Sequence, residues 1–225
     1  MTPPRLLAIT PPSGALNPAL VDVWLAAGAG SLDLAVLLRE PGLSLADLLD
    51  SPRLLPLRRR LAARGVPTLA SLDARDLDLD LLATADPPLA GVQLRGDPSP
   101  TTLAHARARV PGLLGRSCHG EPQPGDEHVD YTVLAPIFTP GTVQPGVEKR
   151  PIGLAGLRRW ASPDRHLLAL GGVSSANAAA LLAAGARGIA GISLVFAGLR
   201  DAADNVEALV RVFAGEVPAH VPPPR

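Results

Sequence analysis

The chain has 225 residues, 47% hydrophobic but only 3% aromatic, so it can build one large or two small domains on a leucine-, alanine- and valine-rich core. Its 21 basic residues balance 21 acidic ones, which excludes the basic footprint of a nucleic-acid binder. Cys118 is the only cysteine, which excludes an intramolecular disulfide and fits a reducing, cytoplasmic setting. No stretch reaches the roughly 18 apolar residues of a membrane span.

In chain order, short apolar runs alternate with segments of helical period. Strands are expected at Leu6–Thr10, Ser31–Leu38, Thr68–Leu72, Gly91–Leu94, Gly112–Ser117, Tyr131–Pro136, Leu167–Leu170 and Gly188–Ser193. Helices are expected at Pro18–Ala27, Ser44–Arg64, Thr101–Arg109, Leu154–Trp160, Asn177–Ala184 and Ala202–Phe213. Gly28 and Gly185 stand where a helix end needs positive φ, and each is followed by a strand. Eight strands in this length predict an α/β fold, a (β/α)8 TIM barrel near its lower size limit. A doubly wound open sheet is the alternative, disfavoured because no glycine-rich dinucleotide fingerprint follows the first strand. Pro122, Pro124 and Gly125 break any helix between His119 and Tyr131, so the helix after the fifth strand is expected to be shortened or missing. The barrel is expected to span residues 1–216, with Val217–Arg225 a flexible proline-rich tail.

A barrel carries its chemistry at the carboxyl ends of its strands. Those ends hold Arg39 and Glu40, Asp73, Arg95 and Asp97, Ser117 and His119, Thr139 and Thr142, Gly171 and Gly172, and Ser193. Strand ends are solvated in any case, so a share of these are ordinary loop residues. Ser117 and His119 are two apart and point the same way, with Cys118 between them turned toward packing. An imidazole can exchange a proton near neutrality. Gly171 and Gly172 let the backbone approach a ligand, and Ser174 and Ser175 offer cap oxygens to the next helix. Ile192 and Ser193 would complete an anion cradle, the other reading being tight turns without a ligand. An acid/base group beside such a cradle suits a small phosphorylated substrate. Asp73 and Asp97 are candidates to share Mg²⁺, or else they cap loops and pair with Arg75 and Arg95; no metal is assigned.

The motifs LLREP (37–41), DARDL (73–77), GVQLRGDPSP (91–100), GRSCHG (115–120), DYTVLAPIFTPGT (130–142), ALGGV (169–173) and AGISLVF (190–196) run through nearly the whole chain. In this order they resemble the thiamine phosphate synthase and thiazole tautomerase superfamily. The resemblance implies a TIM barrel, a thiazole phosphate ligand and a homodimer or higher homo-oligomer. In the synthase pattern the Arg-Glu motif is flanked by Gln and Lys, where this chain has Leu37 and Pro41. That pattern also has Asn before the metal-binding Asp, here Leu72, and Lys in the threonine-rich loop, here Val143 or Gln144. Arg39, Asp73 and Asp97 remain. These departures, and the similarity of residues 91–120 to the tautomerase branch, lead to the expectation of a thiazole tautomerase-like isomerase. It would aromatise a thiazole carboxylate phosphate by proton transfer, with no cofactor required. His119 would shuttle the proton and Ser117 would orient the substrate or the imidazole. Arg39, Thr139 and Thr142 would bind substrate, while Gly171, Gly172, Ile192 and Ser193 would hold the phosphate. The alternatives are a Mg²⁺-dependent thiamine phosphate synthase, which joins a pyrimidine diphosphate to thiazole phosphate and releases pyrophosphate, and a non-catalytic phosphate-ligand-binding barrel.

Overall fold

Alternating apolar residues give each strand two faces to bury, and the sheet satisfies both by closing on itself. The computed structural model describes residues 1–139 and 150–216. The first half comprises β1 (Leu6–Ile9), α1 (Leu20–Ala26), β2 (Ala35–Leu38), α2 (Leu45–Asp50), α3 (Leu55–Ala63), β3 (Thr68–Leu72), α4 (Leu79–Thr84) and β4 (Gly91–Leu94). The second comprises α5 (Pro100–Arg107), β5 (Leu113–Cys118), β6 (Tyr131–Leu134), α6 (Gly153–Trp160), β7 (Leu167–Ala169), α7 (Ala178–Ala183), β8 (Gly188–Gly191) and α8 (Leu199–Phe213). The strands are parallel and pair in sequence order, with β8 closing on β1. The expected barrel is the observed one.

The period of two sorts side chains into two cores. Leu7, Ile9, Leu37, Leu69, Val133 and Leu168 fill the interior. Leu6, Ala8, Val36 and Leu38 point outward, against helices that contribute Trp24, Trp160 and Leu209. Each fully buried leucine contributes about 1.5–3 kcal/mol. Gly115 faces inward on β5, and a Cβ there would fall inside the Tyr131 ring. The glycine thus makes room for the largest interior side chain.

Three local expectations are corrected. The strand predicted from Ser31 begins at Ala35, because Ala29–Leu32 form a 3₁₀ turn that ends at Asp33 in a left-handed conformation (φ 47°). The helix predicted over Ser44–Arg64 is two helices, since Pro52 keeps Ser51 out of the helical conformation (ψ 114°). Ser44 caps α2 by accepting the Asp47 amide hydrogen bond. Helix α4 was not foreseen; its Asp–Leu alternation masks the helical period, and Asp78 caps it by accepting from the Leu81 amide at 3.0 Å.

After β5 the expected helix is indeed missing, and only a 3₁₀ turn at Asp126–His128 precedes β6. A buried cation takes the helix's place. Arg116 points outward from β5 and is fully buried. Its guanidinium donates to Pro124 O at 2.7 Å, Gln123 O at 3.0 Å, Thr132 Oγ1 at 3.1 Å and Asp126 Oδ1 at 2.7 Å. A non-helical loop leaves carbonyls without partners, and the five donors of one arginine satisfy them. Arg165 also approaches Asp126, at 2.5 Å, so its carboxylate faces two cations.

Cys118 is buried on the outer side of β5, as expected for a small packing residue. Burial pushes its thiol up to about 12. The native protein should therefore resist iodoacetamide at pH 8 and react once unfolded in guanidinium, measured by mass spectrometry. Because the folded value is raised, the thiol's stabilisation is complete below the ordinary thiol range and is lost as pH climbs toward about 12. Equal alkylation of native and unfolded protein would contradict this burial. Among the described residues, no helix is long and apolar enough to cross a membrane.

Candidate active site

The carboxyl rim is assembled from short ties between neighbouring strand ends. Thr10 Oγ1 accepts the Arg39 amide hydrogen bond at 2.8 Å and donates to Arg39 O at 3.0 Å, locking the ends of β1 and β2. This fixes the root of the Arg39 side chain. Its guanidinium makes no hydrogen bond or ion pair among the described residues. Burial, and then the nearby Arg95 charge, hold it below the ordinary guanidinium value, yet it remains a cation. Arg95 donates to Asp73 Oδ2 at 2.9 Å, and Arg75 lies 3.9 Å from the same oxygen. Glu40 turns away, accepting from Ser51 and Arg53 at 3.3 Å each.

On the far side of the mouth, Asp97 takes a left-handed conformation (φ 52°) that turns its carboxylate onto His119. Oδ1 accepts the His119 amide hydrogen bond at 2.7 Å, and Oδ2 faces Nδ1 at 2.8 Å. That pairing places a proton on Nδ1. Both Asp97 oxygens serve His119, so the two aspartates are not arranged as equal ligands to one ion. Among the described residues no group of three or more histidine, cysteine or acidic side chains could hold a metal. Ser117 receives a hydrogen bond from Gln93 Nε2 at 2.9 Å, and Tyr131 donates to Gln93 Oε1 at 3.1 Å. The sequence reading missed Gln93 and Tyr131. The signal was present: a glutamine at an inward position of GVQL has to find partners inside the barrel.

The cradle glycines have positive φ, 93° at Gly171 and 62° at Gly172. The loop after β6 also requires them. A Cβ at Gly171 would lie 2.7 Å from Pro136 Cβ, and one at Gly172 would lie 2.6 Å from Phe138 Cβ. Phe138 donates its amide hydrogen bond to Gly171 O at 3.0 Å. Ser174 and Ser175 do not cap α7, contrary to expectation. The Ser174 amide donates to Asn177 Oδ1 at 2.9 Å, Asn177 Nδ2 donates to Gly172 O at 2.9 Å, and Ser175 Oγ donates to Asn205 Oδ1 at 3.2 Å. The amides of Gly172 and Ser193 have no acceptor among the described residues, and Ile192 leads into Ser193 just past β8. Thr139 is exposed beside Gly172, whereas Thr142 lies outside the described residues, as do Val143, Gln144 and the predicted tail. A cavity of about 510 Å³ bordered by Arg5, Arg165, His166 and Arg187 opens at the opposite, amino-terminal rim, away from these groups.

Residues 7–195 match the model of a family described as thiamine monophosphate synthase. The chain is 33% identical to the thiamine-phosphate synthase of Bordetella avium, covering 96% of each chain. It is 33% identical to that of Chloroflexus aurantiacus, over 88% of this chain and 84% of the relative. Thiamine phosphate pyrophosphorylase from Pyrococcus furiosus shares the fold, with TM-score 0.67 and 23% identity over 95% and 97% of the two chains. Phosphoribosyl anthranilate isomerase from Thermotoga maritima shares it too, with TM-score 0.58 and 16% identity over 96% and 100%.

These relatives overturn the tautomerase expectation. That expectation leaned on Leu37, Pro41, Leu72 and Val143 or Gln144, and on the similarity of residues 91–120 to the tautomerase branch. The structure packs Leu72 in the outer core, facing the helices, and leaves Pro41 exposed on the loop after β2. Leu37 faces the barrel interior. The Leu72 departure therefore says little about what the barrel binds.

Proposed function

The chain belongs to the thiamine monophosphate synthase family, and from that premise we propose that it joins a pyrimidine diphosphate to thiazole phosphate and releases pyrophosphate. The observation that carries the reading is Arg39: a partly buried guanidinium, beside Arg95, with no anion of its own among the described residues. Two adjacent cations at one rim suit a leaving group that gathers negative charge as it departs. In the reaction the thiazole ring nitrogen bonds to the pyrimidine's methylene carbon. The carbon–oxygen bond to the diphosphate breaks, and its electron pair leaves with pyrophosphate.

Arg39 and Arg95 would face the diphosphate. Gly171, Gly172, Ile192 and Ser193 would receive the thiazole phosphate on their amides and hydroxyl, with Thr139 and Thr142 alongside. This assignment rests on the open amides of Gly172 and Ser193. Ser117 and His119 would contact the substrates, the imidazole held by Asp97. The bond changes move no proton, so His119 has a binding role here.

A synthase of this kind implies Mg²⁺. Asp73 fits it: Oδ2 is held by Arg95, while Oδ1 has no partner among the described residues and faces the Gly96 turn. One carboxylate oxygen, completed by water and substrate phosphates, is a usual donor set for this ion. Bound there, Mg²⁺ would neutralise charge on the diphosphate. Pyrophosphate release from the two precursors should fall to background with a chelator and return on adding excess Mg²⁺. Release that is indifferent to the chelator would contradict the role given to Asp73.

A further inference from the structure

We infer that Tyr131 and Gln93 are positioning residues that fix the Ser117 hydroxyl as a hydrogen-bond donor to the substrate. The three side chains form one line through the barrel interior, Tyr131 Oη to Gln93 Oε1 at 3.1 Å and Gln93 Nε2 to Ser117 Oγ at 2.9 Å. Tyr131 and Gln93 are buried, and Ser117 stands partly exposed at the mouth.

The direction of this line follows from donor and acceptor counting. The Tyr131 hydroxyl has Gln93 as its sole hydrogen-bond partner among the described residues. Burial keeps the phenol protonated. Its proton must go to a carbonyl-type oxygen, so Gln93 presents Oε1 inward. The opposite seating of the amide would set Nε2 against the phenol and leave a buried hydroxyl proton without an acceptor, at the full desolvation cost of that group. With Oε1 committed inward, Nε2 faces outward and donates to Ser117. The Ser117 oxygen then acts as acceptor toward Gln93, so its proton cannot return along the chain. No other acceptor for it stands among the described residues. It points into the mouth, ready for an acceptor atom on the substrate.

Gly115 belongs to the same device. Its lack of a side chain seats the Tyr131 ring across β5, and with it the phenol that starts the line. A core tyrosine therefore reaches the chemistry through two hydrogen bonds without touching substrate. The gain is selectivity: a serine free to rotate accepts or donates, whereas this one only donates outward.

The activity readout rests on the proposed synthase reaction; the second readout does not. Tyr131→Phe removes the phenol and frees the Gln93 amide to reverse, so Ser117 can turn its proton onto Oε1. Tyr131→Phe should lower kcat/KM for thiamine phosphate formation roughly five- to tenfold in the otherwise unchanged protein. In a Ser117→Ala background the same change should cost less than about twofold, because the group it orients is gone. Equal losses in both backgrounds, or no loss in the first, would overturn the inference. Neutron diffraction from deuterated crystals of the unmodified protein reads the line without turnover. Deuterium on Tyr131 aimed at Gln93 Oε1, with the Ser117 deuterium turned away from Gln93, supports it. A Ser117 deuterium lying on Gln93 refutes it. A protein that makes no thiamine phosphate, yet shows the first pattern, would keep the relay and lose the synthase reading.

Discussion

Replacing Arg39 by alanine should lower kcat/KM for pyrophosphate release by about 10²–10³-fold, the usual loss when one preorganised charge-stabilising donor is removed. The size follows from its surroundings. The side chain has no carboxylate to satisfy among the described residues, and the Arg95 charge nearby already works against it. Among the described residues its hydrogen-bond ties are those of Thr10 to its backbone. Removing the guanidinium should leave the fold intact, or raise stability slightly, by relieving the repulsion with Arg95. Arg39→Lys should recover only part of the rate, because an ammonium lacks the planar fork that grips phosphate in two places. Steady-state kinetics on the three proteins, beside their unfolding curves, checks both halves. An Arg39→Ala enzyme of undiminished kcat/KM would remove the diphosphate from this rim.

The largest stability effect should come from the opposite side of the sheet. Arg116→Met should destabilise the protein by about 3–5 kcal/mol, the range for breaking a buried ion pair by removing one partner. Pro124 O and Gln123 O lose these donors, and among the described residues the Asp126 carboxylate keeps Arg165 and Thr132. For a chain of this size the midpoint of thermal unfolding should fall by about 10 °C or more. Urea titration gives the free energy directly. A loss under about 1 kcal/mol would show that the loop after β5 does not depend on the arginine, since surface substitutions fall in that range.

The barrel was legible because its signal is repeated. Eight apolar runs of similar length, each followed by a turn, leave few other closures. What failed was local. The α2–α3 break was written in Pro52, but the apolar period runs across it. The α4 segment was hidden by alternating Asp and Leu, although Asp78 stands in a good capping position. The missing helix was legible because prolines exclude it; its replacement was not, since nothing local says that Arg116 on a strand will fill the gap.

The site divides the same way. Arg39, Asp73, Ser117, His119, Gly171, Gly172 and Ser193 could be found as strand-end residues, and the barrel brings them to one rim. Their partners could not. Asp97 holds His119 across 22 positions, and Tyr131 acts on Ser117 through Gln93 across 38 and 24. Such links depend on strand register, which spacing does not reveal. Leu72 stands beside Asp73 in the sequence as if it were a site position, yet the barrel turns it toward the helices.

The central claim is tested most directly by supplying the purified protein with pyrimidine diphosphate, thiazole phosphate and Mg²⁺, and measuring thiamine phosphate and pyrophosphate together. Equal amounts of the two products, accumulating over many turnovers and requiring both substrates, are the predicted result. Pyrophosphate without thiamine phosphate, or neither product while thiazole phosphate still binds, would contradict it.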